Sequence, residues 1–353
     1  MGGMTSTARV ALSSLAALLF VYFSMPFFRS LAIRYRIVDF PGKRKMHRVA
    51  TPLLGGAAIY FGLIIGLSFN GQFGRDVLAI LTGATIIFLL GVADDMKGLS
   101  ARFRIAVQLV AAFIVIIWGE RISFLPPGLI NDILEMAVSL VWVIGITNAI
   151  NYLDGLDGLA AGSAVINLIC FGGILYRTGQ PVLFGVSFIM AAACLGFLPH
   201  NFSQHKKKVF LGDAGSTLIG FVLASIGLCG YWAAGDPVRI AIPILILGVP
   251  IFDMTFTTVM RIAEGKIKTV YGWLKYAGRD HFHHYLVDLG LTSRGSVIFI
   301  YFTQIALGIS AMIASVVGPI TALLSVFQGV MIFAIIGILI VMGKRRYEDK
   351  QKH

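Results

Sequence analysis

Residues 132–177 read DILEMAVSLVWVIGITNAINYLDGLDGLAAGSAVINLICFGGILYR, and their pattern decides the fold. Two apolar runs, near 133–150 and 158–175, flank a polar stretch carrying Asn148, Asn151, Asp154 and Asp157. Each run approaches the roughly 20 residues with which a helix crosses the hydrocarbon core of a bilayer. The same unit repeats outward in both directions, with further runs near 8–28, 53–70, 76–93, 103–119, 181–198, 213–232, 238–260, 295–316 and 319–342. Short polar or Gly/Pro breaks such as NGQFGRD, YRTGQP and AAGDP divide neighbouring runs, and only Gly318 and Pro319 divide the last two. The expectation is an all-α polytopic membrane protein of about 11 transmembrane helices.

Composition agrees. Of the 353 residues, 57% are hydrophobic and 13% charged, where a soluble domain carries about 25% charged residues. The mean hydropathy is +0.85, too apolar for a surface facing water, while 26 Phe and 40 Gly in a varied sequence exclude a low-complexity or disordered chain. Cys170, Cys194 and Cys229 all lie in apolar stretches without CxxC spacing and read as small buried hydrophobes. The N-terminal run has one preceding Arg and no A-x-A cleavage signal, so it reads as a retained first span.

The net charge of +12 then becomes a question of sidedness. With the N-terminus outside and eleven crossings, the inner segments are 29–52, 94–104, 148–157, 199–213, 261–294 and the tail from Lys344, and the C-terminus is cytoplasmic. They hold 24 of the 29 Lys and Arg, leaving Arg9, Arg75, Arg121, Arg177 and Arg239 outside. That division follows the positive-inside rule, so the basic excess is topology and not a nucleic-acid footprint. No linker or repeat divides the chain, which reads as one domain, 1–353, with its longest inner loops at 29–52 and 261–294.

The polar constellations fall on the inner side. Asp94 and Asp95 end the third span, where adjacent carboxylates repel unless a cation or proton separates them; a solvated helix end is the bland alternative. Asn148, Asn151, Asp154 and Asp157 recur every third residue and would share a broad helical face beside the flexible Gly155 and Gly158. Amide and carboxylate oxygens are what Mg²⁺ takes as ligands, although a plain Asn/Asp/Gly turn has the same composition. Asp213, in KKKVFLGDAGSTLIGF (206–221), either caps a helix N-terminus or ligates a metal there, where free N–H groups favour phosphate. Lys206–Lys208 add charge, and Phe210 offers a ring for stacking a base. Arg279, His281, His283 and His284 cluster in RDHFHHYL; their spacing is not that of HExxH zinc sites, and phosphate binding or proton shuttling suits them better. Asp253 lies inside a span, two turns before Arg261, as a functional or a structural pair. Carboxylates for a divalent cation beside cations for phosphate oxygens suit an interfacial enzyme that joins a soluble phosphorylated compound to a lipid. A transporter would hold such groups near the bilayer midplane.

DD at 94–95, NAxNxxDGxDGLAxG at 148–162, VFxGDxGS at 209–216 and HxHH at 281–284, preceded by TPLLGG at 51–56, resemble the polyprenyl-phosphate N-acetylhexosamine-1-phosphate transferase family in order and spacing. The eleven-span reading is similar to its bacterial GlcNAc-1-phosphate branch, not to the peptidoglycan translocase branch with its PLHHHF-like motif. The resemblance implies transfer of a sugar 1-phosphate from a UDP-N-acetylhexosamine to undecaprenyl phosphate, releasing UMP, with Mg²⁺ (or Mn²⁺), at the cytoplasmic face of the bacterial inner membrane. It implies Asn151 and Asp213 as metal ligands, Phe210 as the uracil-stacking ring, and Asp157, with Asp154 beside it, at the nucleoside. It further implies Arg104 on the diphosphate, Asp94 and Asp95 governing the lipid phosphate, and Arg279, His281, His283 and His284 on the nucleotide-sugar phosphates. Some members work as dimers, so a homodimer is carried as an expectation. KIKTVYGWLKYAG, after Arg261, departs from the short Ser/Pro-containing stretch of GlcNAc-specific members and leaves the sugar open. A single displacement is favoured over one through Asp213 as nucleophile, because a carboxylate committed to metal attacks poorly. A flippase of lipid-linked sugars or a cation-coupled transporter is the alternative outside enzymes. A CDP-alcohol phosphotransferase lacks its DGxxAR signature here.

Overall fold

The computed structural model describes residues 5–40, 50–118, 125–203, 207–232, 240–269, 272–273, 276, 278 and 280–352. These form two compact units, Met1–Tyr231 and Trp232–His353.

The first unit contains α1 (Ser6–Arg34), α2 (Gly55–Asn70), α3 (Arg75–Lys97), α4 (Ala101–Trp118), α5 (Leu129–Leu153), α6 (Leu159–Arg177), α7 (Pro181–Asn201) and α8 (Gly212–Cys229). A two-residue antiparallel pair, β1 (Val38–Asp39) with β2 (Thr51–Pro52), joins α1 to α2. The unit is built around α8, in which every residue except Asp213 is buried. Helices α3 and α5 pack along it, α2 crosses it, α1 and α7 form an outer layer on α2, and α6 packs on α7 and α8. Helix α1 belongs to this bundle, with Ala17, Val21 and Met25 fully buried.

The second unit contains α9 (Ala241–Ile246), α10 (Gly248–Ala263), α11 (Phe282–Asp288), α12 (Ser293–Ala314) and α13 (Pro319–Lys352). Helix α12 packs on α9 and α13.

Nine helices among the described residues are long and apolar enough to cross a membrane. Their outward surfaces carry Phe23, Leu129, Val141 and Ile320, each more than 70% exposed. Such surfaces would associate in water, whereas hydrocarbon solvates them and requires the backbone to be helical. The chain is a multi-pass, all-α membrane protein. The two other expected spans take different forms. The 53–70 run is α2, of 16 residues. The 238–260 run is interrupted at Leu247 between α9 and α10, where Pro250, in the first turn of α10, has no N–H to continue the α9 ladder.

Helix ends also move. Helix α5 continues through Asn148 and Asn151 to Leu153, beyond the expected loop start at 148. Asn148 supports this by donating to the Ile144 carbonyl one turn back, 2.8 Å, and to Gln108 Oε1 on α4, 2.8 Å. The turn proper is 154–158, closed by Gly158 at φ +76°. Helix α7 likewise continues through Pro199 to Asn201.

Candidate active site

At one end of the first unit, the motifs that lie far apart in sequence meet. The last turn of α3 presents Asp94 and Asp95. Asp94 is buried and accepts from the Leu99 N–H at 2.6 Å and from Arg104 Nη1 at 2.9 Å. Asp95 turns the other way, accepting from the Asp213 N–H at 2.8 Å through one oxygen and from the Ala214 N–H at 3.1 Å through the other. These are unsatisfied first-turn donors of α8, which an acceptor at a helix N-terminus stabilises. The cap of α8 is therefore Asp95 from α3. Asp213, expected as a possible N-cap, instead lies inside the first turn, and the position preceding the helix, Leu211, makes no side-chain cap. Gly212 has φ +73°, and a Cβ there would stand 2.6 Å from Asp95 Oδ2, so both backbone and space demand glycine.

Asp213 Oδ1 accepts from Asn151 Nδ2 at 2.7 Å, and the same amide nitrogen donates to Ser216 Oγ at 2.8 Å. Asp94, Asp95 and Asp154 all act on Asp213 or are acted on by it electrostatically, and Arg104 sets a positive charge against the group. Asp154, at the C-terminal end of α5, keeps contact with solvent. Even so, desolvation by the protein around it, and then the Asp213 and Asp157 carboxylates, push its pKa up to about 7. Asp157 pairs with Lys208 Nζ at 2.5 Å, and that ammonium also lies 5.1 Å above the Phe210 ring.

The residues around Phe210 are held by backbone. The Phe210 N–H donates to the Pro52 carbonyl at 2.8 Å, and Gly55 and Gly56 N–H donate to the Phe210 and Leu211 carbonyls at 3.0 and 2.9 Å. The TPLLGG segment thus serves as a brace for VFLGD. Asn201, which the motif reading passed over, adds a second brace. Its Oδ1 accepts from the Gly158 N–H at 2.6 Å, and its Nδ2 donates to the Val209 carbonyl at 3.0 Å. It is buried and links the NxxDGxDG turn to the segment before Phe210. An Asn after the last apolar turn of a span is the sole signal in the sequence, since its partners lie 43 and 8 positions away.

The expected face of four residues at every third position divides. Asn151, Asp154 and Asp157 belong to the site end, whereas Asn148 faces Gln108 on α4.

Among the described residues no three His, Cys, Asp or Glu side chains form a self-sufficient metal cage. Mg²⁺ takes one or two protein oxygens while phosphates and water complete its shell. Asn151 spends its amide hydrogens on Asp213 and Ser216, and no hydrogen bond from the described residues reaches its side-chain oxygen, Oδ1. That oxygen, beside a carboxylate among other carboxylates, is a donor set that fits a hard divalent cation.

The second unit holds its own polar cluster. His281 Nδ1 lies 3.0 Å from Asp253 Oδ2, and its ring is parallel to that of His283 at 6.2 Å. His283 is buried with no hydrogen-bond partner among the described residues at either nitrogen, and burial pushes its pKa down to about 3. The His284 ring is 4.2 Å from that of His283. Arg279 and Lys206 lie outside the described residues.

A family model described as "Glycosyl transferase family 4" matches residues 77–231, from α3 to the end of the first unit. A Bacillus subtilis protein named "Probable undecaprenyl-phosphate N-acetylglucosaminyl 1-phosphate transferase" is 35% identical over 311 residues, covering 86% of this chain and 85% of its own. The chain belongs to the polyprenyl-phosphate N-acetylhexosamine-1-phosphate transferase family. Other members similar to it are a "Decaprenyl-phosphate N-acetylglucosaminephosphotransferase" of Mycobacterium tuberculosis, 32% identical over 83% of this chain and 79% of the relative, and an "Undecaprenyl-phosphate alpha-N-acetylglucosaminyl 1-phosphate transferase" of Escherichia coli K12, 28% identical over 82% and 80%. The stretch matched by the family model is the one that carries Asp94, Asp95, Arg104, Asn151, Asp154, Asp157, Phe210 and Asp213.

Proposed function

We propose that this protein transfers N-acetylglucosamine 1-phosphate from UDP-GlcNAc to undecaprenyl phosphate, releasing UMP, and so begins a lipid-linked cell-envelope glycan. The observation that carries the reading is the convergence of Asp94, Asp213 and Asn151 with Arg104 at one end of a membrane bundle. Such a group meets two phosphorylated substrates with both carboxylates and a cation. The relatives' names supply the sugar and the acceptor lipid.

In this mechanism an oxygen of the lipid phosphate attacks the β-phosphorus of the UDP-sugar, and the bond from that phosphorus to the bridging oxygen breaks, so that UMP leaves. Asn151 and Asp213 would hold Mg²⁺, which neutralises charge on the diphosphate. Arg104 binds diphosphate oxygens while its ion pair with Asp94 sets its position. Asp94 faces the acceptor phosphate and takes any proton it still carries. Asp95, with both oxygens on the α8 backbone, holds Asp213 in place and is a positioning residue. Phe210 stacks the uracil, beside Asp157 and Asp154 at the nucleoside. The His motif serves the donor phosphates. The charge distribution supports an N-terminus outside, a cytoplasmic C-terminus and an active site on the cytoplasmic face of the inner membrane.

The test uses purified protein, Mg²⁺, undecaprenyl phosphate and a panel of UDP-GlcNAc, UDP-GalNAc, UDP-QuiNAc and UDP-FucNAc, with UMP as the readout. UMP from UDP-GlcNAc is the expected result. Intact protein that forms no UMP from any sugar overturns the enzyme reading and points to a transporter. UMP from another sugar alone corrects the donor.

A further inference from the structure

Within the second unit, one face of α10 grips the start of the His motif. Asp253, Thr257 and Arg261 follow at four-residue spacing, which stacks them along one side of the helix, and none is more than 3% exposed. All three reach the same three residues, 280–282. Arg261 clasps the Asp280 carboxylate through Nε at 2.9 Å and Nη2 at 2.6 Å, with the Tyr276 ring 4.6 Å from its guanidinium carbon. Thr257 Oγ1 donates to the Asp280 carbonyl at 3.0 Å. Asp253 accepts from the Phe282 N–H at 2.5 Å through Oδ1 and lies 3.0 Å from His281 Nδ1 through Oδ2.

The His281 ring therefore stands between two groups whose hydrogen-bonding sense is fixed. A carboxylate only accepts, so Nδ1 must carry the proton. On the other side, Arg261 Nη2 is 3.3 Å from Nε2. A guanidinium only donates, so Nε2 must present its lone pair. Both neighbours specify the same state, a neutral imidazole protonated at Nδ1. His281 is also buried, whereas His284 is the one ring of the three with appreciable exposure.

We infer that Asp253, Thr257 and Arg261 form a rail that sets the HxHH segment, with Asp253 holding His281 in the neutral, Nδ1-protonated tautomer. His281 is then a positioning residue that orders the segment, and not a charged phosphate ligand. The inference deepens the proposed transferase reading by dividing the labour within its His motif, and it rests on that reading only for the kinetic arm of its test.

The experiment is nitrogen NMR of the full-length, ¹⁵N-histidine-labelled protein in detergent micelles at neutral pH, with the His281 signals assigned by their loss in His281→Gln. The expected wild-type spectrum has a protonated Nδ1 and an unprotonated Nε2. Asp253→Asn removes the carboxylate that accepts from Nδ1, so the Nδ1-protonated population should fall below that of the wild type. UMP release by Asp253→Asn should fall at least about tenfold, while adding that change to His281→Gln should cost less than about twofold, because the two act as one unit. A protonated His281 or an Nε2–H tautomer in the wild type overturns the inference, as do additive kinetic losses. The wild-type spectrum decides the tautomer even where a variant does not fold. It also needs no turnover, so a protein that makes no UMP fails the transferase reading without touching this one.

Discussion

Gly56→Ala tests whether the site depends on the close crossing of α2 and α8. A Cβ on Gly56 would stand 2.2 Å from the Gly215 nitrogen, 2.3 Å from the Gly215 Cα and 2.8 Å from the Ala214 carbonyl carbon. All three are backbone atoms, so no side chain can swing aside. Ordinary contact begins near 3.5 Å, and the two helices must part by roughly 1 Å. Overpacking of that kind costs about 1–3 kcal/mol, a fall in melting temperature of about 3–10 °C for a unit of this size. The catalytic loss should be larger than the stability loss. Gly56 N–H is bonded to the Leu211 carbonyl, immediately before the turn that presents Asp213, and a 1 Å misplacement of a reacting group can cost about a hundredfold. Turnover is read as UMP release in micelles, and stability as thermal melting in the same micelles. Gly145→Ala is the control, because a Cβ there meets nothing within 4 Å and the backbone is ordinary helix. It should be neutral or slightly stabilising. Wild-type turnover and melting in Gly56→Ala would refute the claim that this crossing sets the site.

Three further outcomes are expected. Asn201→Leu removes the hydrogen bonds to the buried Gly158 N–H and to the Val209 carbonyl, at about 1–3 kcal/mol each, so melting temperature and turnover should both fall. Arg104→Met should lower kcat/KM for UDP-GlcNAc at least about tenfold with a smaller proportional effect on melting, because Asp94 keeps its bond from the Leu99 N–H when the cation is lost; a large melting loss with intact kcat/KM would reverse the assignment. Chelation of divalent cations should abolish UMP release and added Mg²⁺ restore it, whereas Asp213→Asn should stay inactive at any Mg²⁺ concentration while remaining folded. Normal turnover under chelation removes the metal from the mechanism, and normal turnover in Asp213→Asn removes Asp213.

Much of the architecture was legible in the apolar runs, because a helix in hydrocarbon must satisfy its own backbone and needs a long apolar surface. Where the runs misled, local hydrogen bonding was the cause. Asn148 looked like the start of a loop, but its side chain bonds to Ile144 and Gln108, so α5 continues past it. The 238–260 run looked continuous, but Pro250 removes a donor, and the helix breaks at Leu247. The residues of the site were legible as types. Their partners were not: Asn201 as a brace, Asp95 as the cap of α8 and Asp253 as the anchor of His281 all depend on groups far away in the chain.

Asp94 and Asp95 show where the division lies. The sequence by itself determined the solvent of this protein, its helical class and the inventory of carboxylates, amides and cations beside the membrane. It could not tell two adjacent aspartates apart. In the folded helix successive side chains point about 100° apart, so Asp94 meets Arg104 and the site while Asp95 meets the first turn of α8. Tertiary structure decided which carboxylate pairs with Arg104 and which caps α8, because a helix rotates neighbours in sequence onto different neighbours in space.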